Sequence, residues 1–277
     1  MAAIMDNGDR LLGTLVTQHD DTKAYKFLRV SSKERVNGSS YNFNVNFGND
    51  SRLDRITEVH LMSASIPNVF PNISAARGNS TFQATGTIAG AISFVVPDGQ
   101  YNQTQLMAQL KTQIDAAIAP STVAIAQDPV TQKITFTITG AETISYLNED
   151  SGSTIAPFIG ILVDSAALAV YTTDSITALN GETMFYIHSV DIAQNSTYLN
   201  TTQNTNDVNG FVSIPVTVPY GAYQNYQPTE NLDRSVFGRS GRAVRGLNIT
   251  MRGNGGRELT ELTDQFEVVI VLKLMFG

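Results

Sequence analysis

Residues 41–47 read YNFNVNF, and that pattern cannot belong to a helix. A helix brings residues three and four apart onto one face, whereas here every second residue is apolar. Tyr41, Phe43, Val45 and Phe47 fall on one side of an extended chain, and Asn42, Asn44 and Asn46 on the other. AYKFLRV (24–30) alternates too, and RITEVHLMSAS (55–65) does so through Ile56, Val59 and Leu61, with one slip that fits a bulge. STFQAT (80–85) reads as a short strand. Later come TMFYIHSVDIA (183–193), FVSIPVTVP (211–219), RAVRGLNITM (242–251) and QFEVVIVLKLMF (265–276). Four strands before residue 88 and four after 178 predict a mainly β chain, a single jelly roll: an eight-stranded antiparallel sandwich. Another Greek-key barrel would give a similar string.

The stretch between them has a different period. AISFVV (91–96) is a strand and PDGQYN a turn. Over 102–118, Leu106, Leu110, Ile114 and Ile118 recur at four-residue spacing, Met107 and Ala117 widen the stripe, and Pro120 stops the helix. TVAIAQ and KITFTIT flank DPVTQ as a hairpin, and Ser153 is placed to cap a short helical turn in SGSTIAPFIGIL. This β-α-β-β pattern marks 88–178 as a small α+β insertion subdomain within a jelly-roll domain of 24–87 and 179–277. Residues 1–23 are polar and broken by Gly8 and Gly13, and read as a flexible N-terminal arm.

Charged residues are 16 % of the chain, against roughly 25 % in an average soluble domain. That suits a surface largely engaged in contacts. The net charge of −7 is uneven. Residues 86–230 hold two basic and twelve acidic side chains, whereas 1–85 hold nine and eight and 231–277 hold seven and five. The plain reading of the acidic middle is a solvated face; the sharper one turns the middle to solvent and the ends to a partner or nucleic acid. There is no cysteine, which excludes disulfides and cysteine-based zinc sites. The first residues lack a signal-peptide apolar run, and no run of membrane-spanning length occurs. The Asn-x-Ser/Thr triplets at Asn72, Asn79 and Asn195 fit chance in so Asn-rich a chain.

Reactive constellations are scarce. His19, His60 and His188 have no second histidine or carboxylate at metal spacing, and the two later ones lie in predicted strands, where packing roles are expected. There is no Gly-x-Ser-x-Gly elbow and no Gly-x-x-x-x-Gly-Lys loop. RGNGGRE (252–258) reads as a tight hairpin between the last two strands rather than a phosphate cradle. No catalytic, cofactor-binding or metal-binding residue is assigned.

Three stretches point to contacts instead. In SASIPNVFPNIS (63–74), Pro67 and Pro71 fix φ and remove two backbone donors, so pairing is expected to stop there. Ile66, Val69, Phe70 and Ile73 then either fold back onto the barrel or dock on a neighbour, which makes Ile66, Pro67, Val69, Phe70 and Pro71 interface candidates. In PYGAYQNYQP (219–228), read as a loop, Tyr220, Tyr223 and Tyr226 recur every three residues, and tyrosine is enriched at interfaces. Arg234, Arg239, Arg242 and Arg245 in DRSVFGRSGRAVRG (233–246) would suit phosphates or partner carboxylates equally, so nucleic-acid contact stays open.

Several of these features occur together in a known setting. A Ser-x-x-x-Arg turn (Ser31 to Arg35), an alternating strand (Tyr41 to Phe47), a strand ending in Ser-Ala-Ser-Ile-Pro-Asn (Ser63 to Asn68) and a Pro-x-Gly-x-Tyr helix start (Pro97 to Tyr101) follow one another. With DPVTQKITFTI behind them, they resemble the small capsid proteins of the double-jelly-roll DNA viruses: virophages, polinton-like viruses and nucleocytoplasmic large DNA viruses. The resemblance is good over 31–160 and loose beyond it. A single jelly roll in that group implies the penton protein, a homopentamer at the five-fold vertices of an icosahedral virion. The partners implied are other copies of the chain, the major capsid protein and other minor capsid proteins, with the insertion as the part that would meet a host receptor. The alternatives are another minor capsid or cement protein, or a host-attachment fibre head. A carbohydrate-binding β-sandwich or hydrolase would want exposed Trp and paired carboxylates, but Trp is absent and Glu149-Asp150 is only a loop pair.

Overall fold

The computed structural model describes residues 2–5, 11–20, 23–47, 55–189, 191–192, 210–228, 234–236 and 243–276. The chain forms two compact units, Met1–Val69 with Glu182–Gly277, and Phe70–Gly181. The first unit begins with β1 (Ala2–Met5), β2 (Leu11–Asp20), β3 (Lys23–Ser31), β4 (Asn37–Gly38), β5 (Asn42–Asn46) and β6 (Ile56–Pro67). The second holds β7 (Thr81–Gly86), β8 (Gly90–Val95), α1 (Gln103–Ile118), β9 (Thr122–Gln127), β10 (Ile134–Thr139), β11 (Ile144–Tyr146), α2 (Ala156–Ile159) and β12 (Val170–Thr172). The first resumes with β13 (Met184–His188), β14 (Gly210–Pro215), β15 (Tyr223–Tyr226), β16 (Arg234–Val236), β17 (Gly246–Arg252) and β18 (Val269–Phe276).

In the first unit one sheet runs β1-β2-β3-β18-β6-β15, with β16 also on β6, and the other runs β14-β13-β17-β5-β4. Number β3, β5, β6, β13, β14, β15, β17 and β18 from one to eight: the sheets then read 1-8-3-6 and 5-4-7-2. That order is a jelly roll. Its core follows from the alternation. Val30, Ile270 and Ala64 form one buried row across β3, β18 and β6, and Leu28, Leu272 and Leu61 the next. In the other sheet Phe43 lies opposite Ile249, and Ile187 opposite Met251, all buried. The slip in β6 is two bulges. Its buried apolar residues are Ile56, Val59, Leu61, Ala64 and Ile66, and the register against β18 shifts within both three-residue steps, leaving Thr57 and Met62 unmatched. An extra residue in each step returns the next apolar side chain to the inner face.

The count of eight strands was right, but its membership was not. STFQAT became β7, which pairs with β8 and β11 in the second unit. The missing strand is β15, inside the tyrosine stretch read as a loop. Its one buried residue is Gln224, so YQNY offers no apolar alternation to detect. Within 1–23, read as an arm, β1 pairs with β2 and β2 with β3.

The second unit wraps one core with a curved sheet and a helix. β8-β7-β11 and β12-β10-β9 are three-stranded sheets, linked through the single bridge Ile144–Leu168. α1 joins β8 to β9 and packs on both. Its four predicted core residues, Leu106, Leu110, Ile114 and Ile118, are all buried. Asn102 caps it reciprocally: its Oδ1 accepts the Gln105 amide at 2.9 Å, and Gln105 Oε1 accepts the Asn102 amide at 2.9 Å. Phe82, Phe136, Tyr146 and Tyr171 meet inside, with Tyr146 stacked on Tyr171 at 4.9 Å. Ser153 does not cap α2: it is buried, and its hydroxyl accepts the Gln83 amide at 3.1 Å. Since Val123, Phe136 and Tyr171 face the core, alternation turns the other residues outward. β9 presents Thr122, Ala124 and Ala126, β10 presents Thr135, Thr137 and Thr139, and β12 presents Val170 and Thr172.

Candidate interaction surfaces

The two Pro-Asn pairs stand on either side of the passage between units. In the first unit, pairing does not stop at Pro67, which lies opposite Tyr223. Asn68 then carries the ladder one step further: its amide donates to Ala222 O at 2.8 Å, and its carbonyl accepts from Gly221 N at 2.7 Å. Its side-chain Nδ2 donates to Val218 O at 2.9 Å. The expectation that prolines end pairing here fails because only the missing N–H of Pro67 is lost, and a strand uses alternate amides for each neighbour. In the second unit, Asn72 is a hub. Its Nδ2 donates to Tyr101 O at 2.7 Å and Leu179 O at 3.2 Å, its Oδ1 accepts from Tyr101 N at 2.9 Å, and its carbonyl accepts from Asn79 Nδ2 at 2.7 Å. Asn72 and Asn79 are both buried, so neither triplet can carry a glycan; Asn195 lies outside the described residues.

The apolar exit divides between the two units: Ile66 is buried in the first, while Ile73 joins the core of the second rather than folding back onto the barrel. Ile66, Pro67, Phe70 and Pro71 are buried and Val69 is half-buried, so these five offer little to a neighbour. The tyrosines differ. Tyr220 and Tyr223 are 47 % and 44 % exposed, while Tyr226 is half-buried. Two stretches picked separately from the sequence therefore meet: Asn68 anchors the turn that presents Tyr220, and Ser65 Oγ donates to Asn225 Oδ1 at 2.8 Å beneath the strand that presents Tyr223. Arg234 opens β16, opposite His60; Arg239 and Arg242 lie outside the described residues. Arg245 is exposed and shares a shallow cleft with Asp191, Asn37, Asn44, Asn46 and Asn248. The outward asparagines of YNFNVNF thus hydrogen-bond across strands, Asn248 Nδ2 to Asn44 Oδ1 at 2.9 Å and Asn44 Nδ2 to Asn37 Oδ1 at 2.6 Å.

Glu58, two positions before His60 on β6, reaches its Nε2 at 2.9 Å. His188 is buried with Nδ1 unpartnered, and burial followed by the nearby Arg252 charge lowers its pKa. RGNGGRE turns tightly back on itself, with Arg252 bridged antiparallel to Glu258 and the Gly253 amide donating to Arg257 O at 2.7 Å, but it does not join the last two strands directly, since β17 and β18 are separated by residues 253–268. Arg257 pairs with Glu182 at 2.8 Å and with Glu261 at 2.9 Å, and Glu182 Oε2 accepts the Asn254 amide at 2.6 Å. A Cβ on Gly253 would lie 2.4 Å from that same oxygen, so a larger residue would have to displace the Glu182 carboxylate. Among the described residues no group of three or more His, Asp or Glu could hold a metal, and no helix is long and apolar enough to cross a membrane.

Most acids of the second unit are exposed, as the solvated-face reading expects, and they also hold loops together. Six of the eight acids between 70 and 181 accept backbone amides in loops: Asp98 from Ala75, Asp115 from Val123, Asp128 from Val130 and Thr131, Glu142 from Ile88 and Ala89, Asp164 from Asn148, and Asp174 from Leu162 and Val163. Burial raises the Glu142 pKa, but the Ile88 amide, the Thr87 hydroxyl and the amides of Ala89 and Thr143 outweigh it and hold the value at about 2.

No protein-family model matches the sequence. No curated protein matches it either. Among solved structures, the chain is similar to the crystal structure of selenomethionine-labelled mavirus penton protein, with a TM-score of 0.48 and 10 % identity over 90 % of this chain and 98 % of that one. At that identity no residue here takes a role from it. The fold rests on the strand order of the first unit.

Proposed function

We propose that this chain is a structural shell protein of an icosahedral DNA virus, and that it serves as the penton, five copies closing a ring at each vertex. The observation that carries the reading is the 1-8-3-6 and 5-4-7-2 strand order, with the second unit placed between strands three and four. The motif resemblance over 31–160 supplies the viral context, because a jelly roll alone hosts many functions. A ring uses heterologous contacts, so each copy presents two different faces. Tyr220 and Tyr223 are exposed and could meet a neighbour, as could Arg245 beside the asparagine cleft. The role needs no catalysis. The major capsid protein is the proposed second partner.

Native mass spectrometry of the full chain, alone and with the major capsid protein of the same virus, tests this. Closed five-fold rings are expected. Trimers or monomers only, in solution and in shells, would move the assignment to a fibre head or cement protein.

A further inference from the structure

Four buried side-chain polar atoms among the described residues have no hydrogen-bond partner. One, Tyr146 Oη, lies in the core of the second unit. The other three, His188 Nδ1, Ser189 Oγ and Arg252 Nε, gather where β13 ends beside β17. Buried polar atoms are nearly always paired, so three orphans in one place call for an occupant. The register shows how they meet. His188 lies opposite Thr250 and Tyr186 opposite Arg252, which makes His188 and Arg252 diagonal neighbours. Phe185, Ile187, Ile249 and Met251 fill the inner face, so alternation turns Tyr186, His188, Thr250 and Arg252 to the outer one. His188 and Thr250 are 8 % and 5 % exposed, while Tyr186 and Arg252 are half-buried and stay within reach of solvent.

These groups offer donors. A guanidinium Nε always carries its hydrogen and can only donate, Nδ1 of an imidazole donates in one tautomer, and each hydroxyl can donate once. Glu258 is bridged to Arg252 through the backbone, but no ion pair joins them. Burial and then the Arg252 charge lower the His188 pKa, so the guanidinium acts directly on the imidazole. A water could accept from both nitrogens but would leave the cation without a counter-charge, and a metal ion would be repelled by it. An oxyanion accepts the hydrogens and neutralises the charge together. The geometry points to a binding site for a phosphate-class oxyanion on the outer face of β13 and β17, with Arg252 Nε and His188 Nδ1 as its central donors and the neighbouring hydroxyls completing the shell. Donors on two strands suit the four oxygens of a tetrahedral ion better than the two of a carboxylate. The site stands whether or not the chain closes a ring.

The chain has three histidines, His19, His60 and His188, so histidine-selective nitrogen-15 labelling of the full chain reads the site directly. Sodium phosphate is titrated against sodium chloride of equal ionic strength. The His188 Nδ1 resonance should shift saturably, and those of His19 and His60 should not. By calorimetry, Arg252→Gln should weaken phosphate binding about tenfold or more, the loss of one charged hydrogen bond. Circular dichroism checks that the variant is folded; if it is not, the labelled parent protein decides alone. A short thymidine oligonucleotide forms the second arm. Its competition with phosphate at His188 would make the source a nucleic-acid phosphodiester, and no competition would make it free phosphate. A His188 resonance that moves no more than that of His19, or a folded Arg252→Gln that binds phosphate as tightly as the parent, would overturn the site.

Discussion

Asn72 joins three separate parts of the second unit through one side chain and its own carbonyl: the entry to α1 at Tyr101, the end of the unit at Leu179, and the turn at Asn79. Replacing it with Ala leaves the Tyr101 amide and two carbonyls without their partner. An unsatisfied buried group costs about 1–3 kcal/mol, so Asn72→Ala should destabilise the second unit by about 3 kcal/mol. Urea unfolding followed by tyrosine fluorescence measures it; an unchanged midpoint would show that water replaces the amide without loss. Nothing in the sequence marks this role. The partners of Asn72 lie 29 and 107 positions away, and a hydrogen-bonding hub has no period. The stripe of Leu106, Leu110, Ile114 and Ile118 was legible because helix geometry repeats it locally. His60 shows the same limit at short range: its hydrogen-bond partner Glu58 lies two positions away at a spacing that no metal or helix pattern singles out.

Elements were legible where their buried face is apolar, and not where it is polar. β5 and β10 alternate, and both were found. β15 buries Gln224, whose Oε1 accepts the Thr217 amide at 2.9 Å, and it was read as a loop. Strand membership was less legible still, because STFQAT alternates equally well in either unit. Turns are set by carboxylates, and Glu142 is the best developed of these. Its oxygens accept the Thr87 hydroxyl at 2.8 Å and the Ile88 and Ala89 amides at 2.9 and 2.8 Å, closing the β7–β8 turn. Its pKa falls from 4.5 to about 2 on folding. A lowered carboxylate pKa contributes stability that is fully present above the unfolded value and is lost as pH falls through the folded one. The stability of the second unit should therefore decline between about pH 4.5 and 2. Glu142→Gln should be less stable at neutral pH and show a shallower decline. Melting temperatures of both proteins across that range decide it; parallel curves would assign the acid response to other groups.

At the scale of the molecule, the unit limits at 70 and 181 change what a dissection should show. Removing 88–178, the insertion as read from sequence, would leave β7 without β8 and β11 and Asn72 without Tyr101. Removing Phe70–Gly181 leaves both jelly-roll sheets whole. With a short Gly/Ser bridge, the second deletion should unfold cooperatively and the first should not, as calorimetry would report; equal behaviour would mean that the boundary lies elsewhere. The boundary was hard to read because the composition does not change at residue 70, whereas the helical period starts some thirty residues later. The Asn72 bond to Leu179 O has a consequence of another kind. One side chain spans the first and last turns of the second unit, so its two ends are held side by side. A module with neighbouring ends can be transplanted. Residues 70–181 could be spliced into an exposed loop of an unrelated scaffold without stretching that loop, and foreign sequence could be carried in their place. Evolution can exchange such a cassette without redesigning the barrel that bears it.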